Sequence, residues 1–175
     1  SQPGPYGYGF RLTAQESITR LAESSKLYTS QLKYRAYLTD ADGTAHYFLL
    51  KDDGKWHYEF DDNVILTYNA STGFILEYED GSKKTYDTDG KLLSIEDRNG
   101  NKINQHYDSE GRVTSVVDAL GRSIVFTYEN GFLTSSTDDA GRVTTYTYVD
   151  GVDKMRGDGI ANNGAICTCS IMDLC

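Results

Sequence analysis

The chain has 175 residues, of which 38% are hydrophobic and 12% aromatic, and its formal net charge at pH 7 is −9. This length allows one domain or two with a sizeable core, and the aromatic content excludes a disordered chain. The 17 basic residues are scattered among 26 acidic ones, which opposes nucleic acid as a partner. The sequence contains no run of about 18 apolar residues, so membrane insertion is not predicted.

The N-terminal part, residues 1–31, is predicted to be an entry segment that precedes a repetitive region. Within it, residues 13–26 are open to two interpretations. Thr13 and Glu16 resemble a capping box at the start of a helix, whereas the neighbouring sequence alternates apolar and polar residues as a strand does. The alternation is clear at residues 32–39, where we predict a strand.

Short apolar segments then alternate with turns that contain Asp-Gly or Asn. Strands are predicted at residues 45–50, 56–60, 64–68 and 74–78. Because these segments recur about every ten residues, they indicate one meandering antiparallel sheet.

From Tyr86 onward, a unit of 20 or 21 residues repeats, and four residue classes keep the same period. Each unit contains two period-two segments, which are typical of strands, separated by a turn in which Asp can bind its own backbone and Gly can adopt positive φ. Each unit is therefore predicted to be a β-hairpin. The residues that define the repeat are Tyr86, Gly90, Asp97, Gly100, Tyr107, Gly111, Asp118, Gly121, Tyr128, Gly131, Asp138, Gly141 and Tyr148.

The sequence thus predicts an all-β fold, a repetitive antiparallel sheet of hairpins that covers residues 32–152. Antiparallel sheets of this kind usually bury one face. The strand around Tyr146 and Tyr148 is predicted to be the last one, with an exposed edge that could pair with another strand.

The phrases "YDTDGKLLSIEDRNGN" and "YDSEGRVTSVVDALGRSIVFTY" resemble the YD repeats of RHS proteins, and "GPYGYGFRL" is similar to the segment that leads into the repeats of cell-envelope RHS proteins. The resemblance covers residues 4–151. It implies a sheet strip that coils into a shell, in a secreted or bacterial cell-surface protein used for adhesion or for encasing a toxin or peptide cargo. The implied partner is another protein, or the remaining shell or toxin segment.

The chain departs from this family in two respects. It has far fewer repeats than a closed shell needs, and it has no proline after Pro5, so the family's proline-rich self-cleavage motif has no counterpart. We therefore expect an N-terminal piece of a shell or a short independent strip.

The sequence contains no recognisable catalytic motif, and we expect neither an enzyme nor a cofactor. His46, His57 and His106 lie on predicted strands beside Tyr, where cross-strand packing explains them. The abundant carboxylates lie in turns and are explained by turn chemistry. "DTDG" and "DRNGN" match only the beginning of a calcium loop, so no metal site is predicted.

Aromatic residues offer an alternative function. Tyr side chains on strands stabilise sheets first of all, but exposed rings can also stack on sugars. Trp56 and Tyr58 are the candidates for such stacking, and the alternative is a module that binds carbohydrate or a cell-wall polymer.

The last part of the chain, residues 153–175, is predicted to be an irregular tail. It contains Cys167, Cys169 and Cys175, the chain's three cysteines. They could form a disulfide with one free thiol, cross-link two chains, or bind a metal with a fourth ligand from elsewhere. Residues 153–175 could also be a peptide that is meant for modification, or an incidental tail.

Overall fold

A computed structural model describes residues 16–29, 31, 33–149 and 152–158, and for residues 148–149 and 152–158 it describes the backbone alone. These residues contain strands and turns but no helix. The predicted all-β, antiparallel hairpin architecture is confirmed. The strands are β1 (Ser17–Arg20), β2 (Tyr34–Thr39), β3 (Ala45–Leu50), β4 (Trp56–Tyr58), β5 (Asp61–Asn69), β6 (Gly73–Glu77), β7 (Lys83–Tyr86), β8 (Leu92–Glu96), β9 (Lys102–Tyr107), β10 (Val113–Val117), β11 (Ser123–Glu129), β12 (Phe132–Asp138), β13 (Val143–Val149) and β14 (Val152–Asp158).

Residues 13–26, which the sequence leaves open between helix and strand, contribute strand β1. It pairs antiparallel with β2, with Ile18 opposite Leu38 and Arg20 opposite Ala36. Ile18 is buried, so burial against the sheet fixes an extended backbone here despite the capping-box pattern. Part of the predicted entry segment therefore belongs to the sheet.

The chain forms two compact units, and their boundary falls inside β9 rather than at either predicted segment boundary. The first unit is Thr13–Ile103, and the second is Asn104–Cys175 with Ser1–Leu12. In the first unit, strands β1 to β8 pair antiparallel in chain order. One continuous apolar core holds it together, formed by Ile18, Ala36, Leu38, Phe48, Leu66, Phe74, Leu76, Tyr86 and Leu92.

One face of the first unit is buried, as expected from period-two side-chain alternation. Ala36 pairs with Phe48 and both are core residues, whereas the next pair, Tyr37 with Tyr47, is half-buried and belongs to the other face. The core face is closed at one end by β1, which touches β2 along one edge and the β7–β8 turn along the other. There Ser17 forms an isolated bridge with Lys91.

In the second unit, the described strands from β9 to β14 also pair antiparallel in chain order. Among its described side chains, the buried apolar ones are Val113, Val116, Phe126, Leu133 and Tyr146.

Two expectations about the end of the repeat are wrong. Strand β13 is not the last strand, because β14 pairs with it over Thr145 to Val149. Residues 153–158, expected to begin an irregular tail, belong to β14. Backbone hydrogen bonds can extend a sheet without alternating apolar side chains, and that alternation was the pattern on which the prediction rested.

Candidate functional site

The hairpin turns are the feature that this chain repeats most faithfully. In eight turns of the described residues, the first turn residue donates its N–H to the carbonyl oxygen four positions later, and a Gly three positions later donates back to it. The glycines have positive φ, for example 81° at Gly121, a conformation that costs other residues free energy. The first residues of these turns are Asp40, Lys51, Tyr78, Asp87, Asp97, Asp108, Asp118 and Asp138.

Where the first residue is Asp, its carboxylate accepts a backbone N–H group of the turn itself. Asp118 Oδ1 accepts the N–H groups of Leu120 and Arg122, both at 2.9 Å, and Oδ2 accepts Arg122 Nε–H at 2.7 Å. Asp138 repeats the arrangement with Arg142, at 2.9 Å for the N–H and 2.6 Å for Nε. The Asp-Gly pattern predicts only bonds from Asp to the backbone, and the bond to the side chain four positions on is an additional contact, which we call the clamp.

The same clamp occurs with an amide in place of a guanidinium. Asn101 donates its backbone N–H to Asp97 Oδ1 at 2.9 Å and its Nδ2–H to Oδ2 at 2.7 Å. The Asn101 side chain holds the pKa of Asp97 below its ordinary value, and the Arg142 backbone N–H does the same for the pKa of Asp138. Both carboxylates are therefore ionised at neutral pH and engaged in hydrogen bonds.

A phrase that resembles the start of a calcium loop is one of these turns. This phrase, "DRNGN", is the turn of Asp97, whose two oxygens already accept three hydrogen bonds. No group of three or more His, Cys, Asp or Glu side chains in the described part of the chain could hold a metal ion.

The repeat-defining tyrosines occupy three different environments. Tyr86 is fully buried and donates its hydroxyl to Glu16 Oε1 at 2.5 Å. Tyr128 donates to the Val113 carbonyl oxygen at 2.8 Å, with the Arg112 guanidinium 5.0 Å from its ring centroid. Tyr107 is half-buried, and the structure describes only the backbone of Tyr148.

The glycines that define the repeat likewise differ in what requires them. A Cβ at Gly100, Gly121, Gly131 or Gly141 would meet open space, so positive φ is the constraint there. Gly111 also has positive φ, 80°. Gly90 has a second constraint, because a Cβ there would overlap the Ile18 carbonyl oxygen.

A buried polar cluster lies where β1 meets β7. Lys84 Nζ is 2.8 Å from Glu16 Oε2, and Tyr86 donates to the other oxygen of the same carboxylate. Burial alone would lower the pKa of Lys84, but the Glu16 carboxylate outweighs it and raises that pKa, while burial raises the pKa of Tyr78 beside it. The cluster contains an ion pair between a buried carboxylate and a half-buried ammonium, and the sequence gives no sign of it.

Two of the three histidines form specific hydrogen bonds rather than merely packing across strands. His46 has Asp40 Oδ2 at 2.8 Å from Nε2 and the Tyr58 hydroxyl at 3.0 Å from Nδ1. His57 has Asp53 Oδ2 at 2.9 Å from Nε2 and the Asp62 carbonyl oxygen at 2.6 Å from Nδ1. His106 is exposed.

His57 faces two oxygen acceptors, and an imidazole can donate to both only when both nitrogens carry a proton. Burial by itself disfavours that cation, but the bonds to the Asp62 carbonyl and the Asp53 carboxylate raise the pKa of His57 above its ordinary value. The His46 side chain in turn holds the pKa of Asp40 far below its ordinary value.

The two residues predicted to stack on sugars, Trp56 and Tyr58, lie on β4 and pack partly buried against the core of the first unit. The Trp56 ring stacks on Tyr68 with centroids 6.1 Å apart, and the Tyr58 ring contacts Phe48 at 5.8 Å.

A different group of rings lies on the face opposite the core. The ring centroids of Tyr34 and Tyr47 are 5.4 Å apart, and those of Tyr37 and Tyr47 are 5.6 Å apart. Tyr34 Oη is 3.3 Å from Glu59 Oε2. We call Tyr34, Tyr37 and Tyr47 the tyrosine cluster.

The remaining predicted residues, Cys167, Cys169 and Cys175, lie outside the described residues. In the described ranges, no helix is long and apolar enough to cross a membrane.

Comparison with known proteins identifies the repeat. The family model "RHS Repeat" matches residues 86–123 and again, in an overlapping frame, residues 107–141. The matched residues include the turns of Asp97 and Asp118, with their bonds to the Asn101 and Arg122 side chains. No curated protein matches the chain.

Proposed function

Since the chain is an RHS-repeat protein, we propose that it is a non-enzymatic structural scaffold, part of a secreted or cell-surface protein used for adhesion or for encasing a toxin or peptide cargo. The observation that carries the proposal is the repeated clamped turn. At Asp97, Asp118 and Asp138 both carboxylate oxygens accept donors of the turn itself, which holds the turn in one conformation and leaves few acceptor positions for chemistry on a substrate.

The arrangement of the carboxylates and histidines supports the same function. Acid–base catalysis needs carboxylates or histidines that face a shared cleft in different environments. Here Asp118 and Asp138 each bind a donor four residues away, and His57 is bound on both nitrogens. The repeated units instead supply extended edges and faces, which is what a protein partner or the rest of a shell requires.

Labelling of intact cells tests the location that this function requires. Antibodies against the purified chain should label intact source cells, and external protease should remove the label while a cytoplasmic marker survives. Detection of the antigen only after lysis would contradict a secreted or surface scaffold.

The casing and adhesion roles are separated by a second measurement on the native protein. In the casing role, a segment enclosed by the scaffold resists protease until the sheet is unfolded with denaturant. In the adhesion role, the purified protein is retained on target cells or on a second protein. If neither protection nor retention is seen, the scaffold proposal is contradicted.

The tyrosine cluster favours a second candidate function, the binding of carbohydrate or a cell-wall polymer. Its rings project from the face that the core does not occupy, with a carboxylate beside Tyr34 that could accept sugar hydroxyls. The rings of Trp56 and Tyr58 are less available, since both pack on the core. The net charge of −9 favours neutral polymers over anionic ones.

A glycan array or a pull-down with cell-wall material tests this candidate. Tyr37→Ala and Tyr47→Ala should abolish retention, and Val125→Ala, on another exposed sheet position, should not. If the wild-type chain is not retained by any polymer, the carbohydrate function is ruled out while the scaffold function stands.

A further inference from the structure

The first unit contains a slot for one strand, bounded by β2 on one side and by the β7–β8 turn on the other. On the β2 side, the four residues from Thr39 to Ala36 pair with the four residues of the inserted strand. On the other side the Gly90 carbonyl oxygen accepts the N–H of the inserted strand at 2.9 Å. Because Gly90 lacks a Cβ, the inserted backbone can approach the turn closely.

The slot is selective for the chemistry of its occupant. Lys84 and Tyr86 point at one end of the strand and together bind a single carboxylate, that of Glu16. Two positions further along, Ile18 enters the apolar core and is 2% exposed. An occupant must therefore present an acidic residue, then a spacer, then an aliphatic residue.

Strand β1, with Glu16 before it, meets these requirements although it has only four residues. It is connected to β2 by an unusually long segment. Thirteen residues, 21–33, separate β1 from β2, whereas the other described connections contain two to five residues. A connection of this length can extend over roughly 40 Å, which is far enough to leave the slot of its own chain.

From this arrangement we propose that β1 is an exchangeable strand, and that the slot also accepts β1 from a second copy of this chain. The contacts made in the slot are the same in both arrangements. The choice between them therefore depends on protein concentration and on the conformation of residues 21–33 rather than on the strength of the contacts.

The connection itself resists opening, which makes exchange slow once the chain is folded. Its Tyr28 ring lies 4.0 Å from the Arg35 guanidinium carbon, and Arg35 Nη1 donates to the Tyr28 carbonyl oxygen at 3.2 Å. Exchange is therefore expected mainly when chains fold together at high concentration.

A charge swap across the slot tests the proposal in the full chain. Glu16→Lys places two lysines together within one chain, and Lys84→Glu places two glutamates together, so β1 is expelled in each variant. When the two variants are refolded together, each slot receives an oppositely charged residue from the other copy. We expect a 1:1 complex of twice the chain mass by native mass spectrometry, formed by the mixture and by neither variant alone.

The double variant Glu16→Lys/Lys84→Glu is the matched control, because it restores opposite charges within one chain and should be monomeric when dilute. A mixture that contains only monomers, while this double variant folds, shows that β1 docks only in its own chain and overturns the proposal.

A second measurement decides the matter if the single variants fail to fold. Ile18→Asp in the full chain weakens its own β1 and leaves the slot unchanged. A labelled synthetic peptide of residues 14–22 should then bind, as seen by fluorescence anisotropy, and Gly90→Ala in the same chain should abolish binding. A peptide that does not bind the folded Ile18→Asp chain overturns the proposal.

Discussion

Glu16 and Lys84 are 68 positions apart in the chain, yet the Lys84 ammonium lies 2.8 Å from the Glu16 carboxylate in the first unit. Their side chains are 10% and 22% exposed, so neither charge is well solvated. This pair, with the Tyr86 hydroxyl, attaches the residue directly before β1 to strand β7.

Removal of one partner should destabilise the first unit more than removal of both. Glu16→Gln or Lys84→Met alone leaves a buried charge without its counter-ion and is expected to cost about 3 kcal/mol of the free energy of unfolding. The double variant should cost less than the sum of the two. Denaturant unfolding in a double-mutant cycle measures the difference, and strictly additive losses would show that the two residues do not interact.

Substitution of Gly90 should be more damaging than substitution of an equivalent turn glycine. Gly81 and Gly90 have φ values of 86° and 84°, so Ala at either position pays the same conformational cost of about 1–2 kcal/mol. Only at Gly90 does the new Cβ overlap the Ile18 backbone, while Gly81 faces open space. Thermal unfolding of Gly90→Ala and Gly81→Ala compares them, and equal melting temperatures would contradict the close approach of β1.

Both carboxylate oxygens of Asp118 should contribute to the thermal stability of the chain. Asp118→Asn keeps an oxygen that accepts the Leu120 and Arg122 N–H groups but loses the charge that binds the Arg122 guanidinium. Asp118→Ala loses both sets of bonds. We expect melting temperatures in the order wild type, Asp118→Asn, Asp118→Ala, with Arg122→Ala close to the Asn variant. If Asp118→Ala melts like the wild type, the clamp contributes nothing.

The stability of the β4–β5 hairpin should decrease as the pH rises through neutrality. The folded-state pKa of His57 is above its ordinary value, so its contribution is complete below about pH 6.5 and is lost as the pH passes the folded-state pKa. The free energy of unfolding at about pH 5.5 should therefore exceed that at about pH 8.5. His57→Gln should weaken this dependence, and His106→Gln, at an exposed position, should leave it intact. A dependence unchanged in His57→Gln would contradict the double hydrogen bond.

Much of the fold could be predicted because its signals are local. The β10–β11 turn is marked by Asp118 and Gly121, whose backbone groups bond to each other, and strand positions such as Ala45–Leu50 follow from alternation within a few residues. Such patterns can be seen in the sequence without knowledge of what packs on them.

The long-range contacts could not be predicted in the same way. The capping-box pattern at Thr13 and Glu16 indicated a helix as readily as a strand, and the actual role of Glu16 depends on Lys84 and Tyr86. The bonds of His57 to Asp53 and Asp62 require the β3–β4 turn and the start of β5 to bring oxygens to both sides of one ring. No fixed spacing in the sequence encodes that arrangement.

The sequence by itself determined the hairpin and its Asp-Gly turn, because each is stabilised within a single short stretch of backbone. The tertiary structure decided where β1 docks and which carboxylate is buried. Those outcomes depend on which distant surfaces exclude water from one another, and that is settled only when the whole sheet has formed.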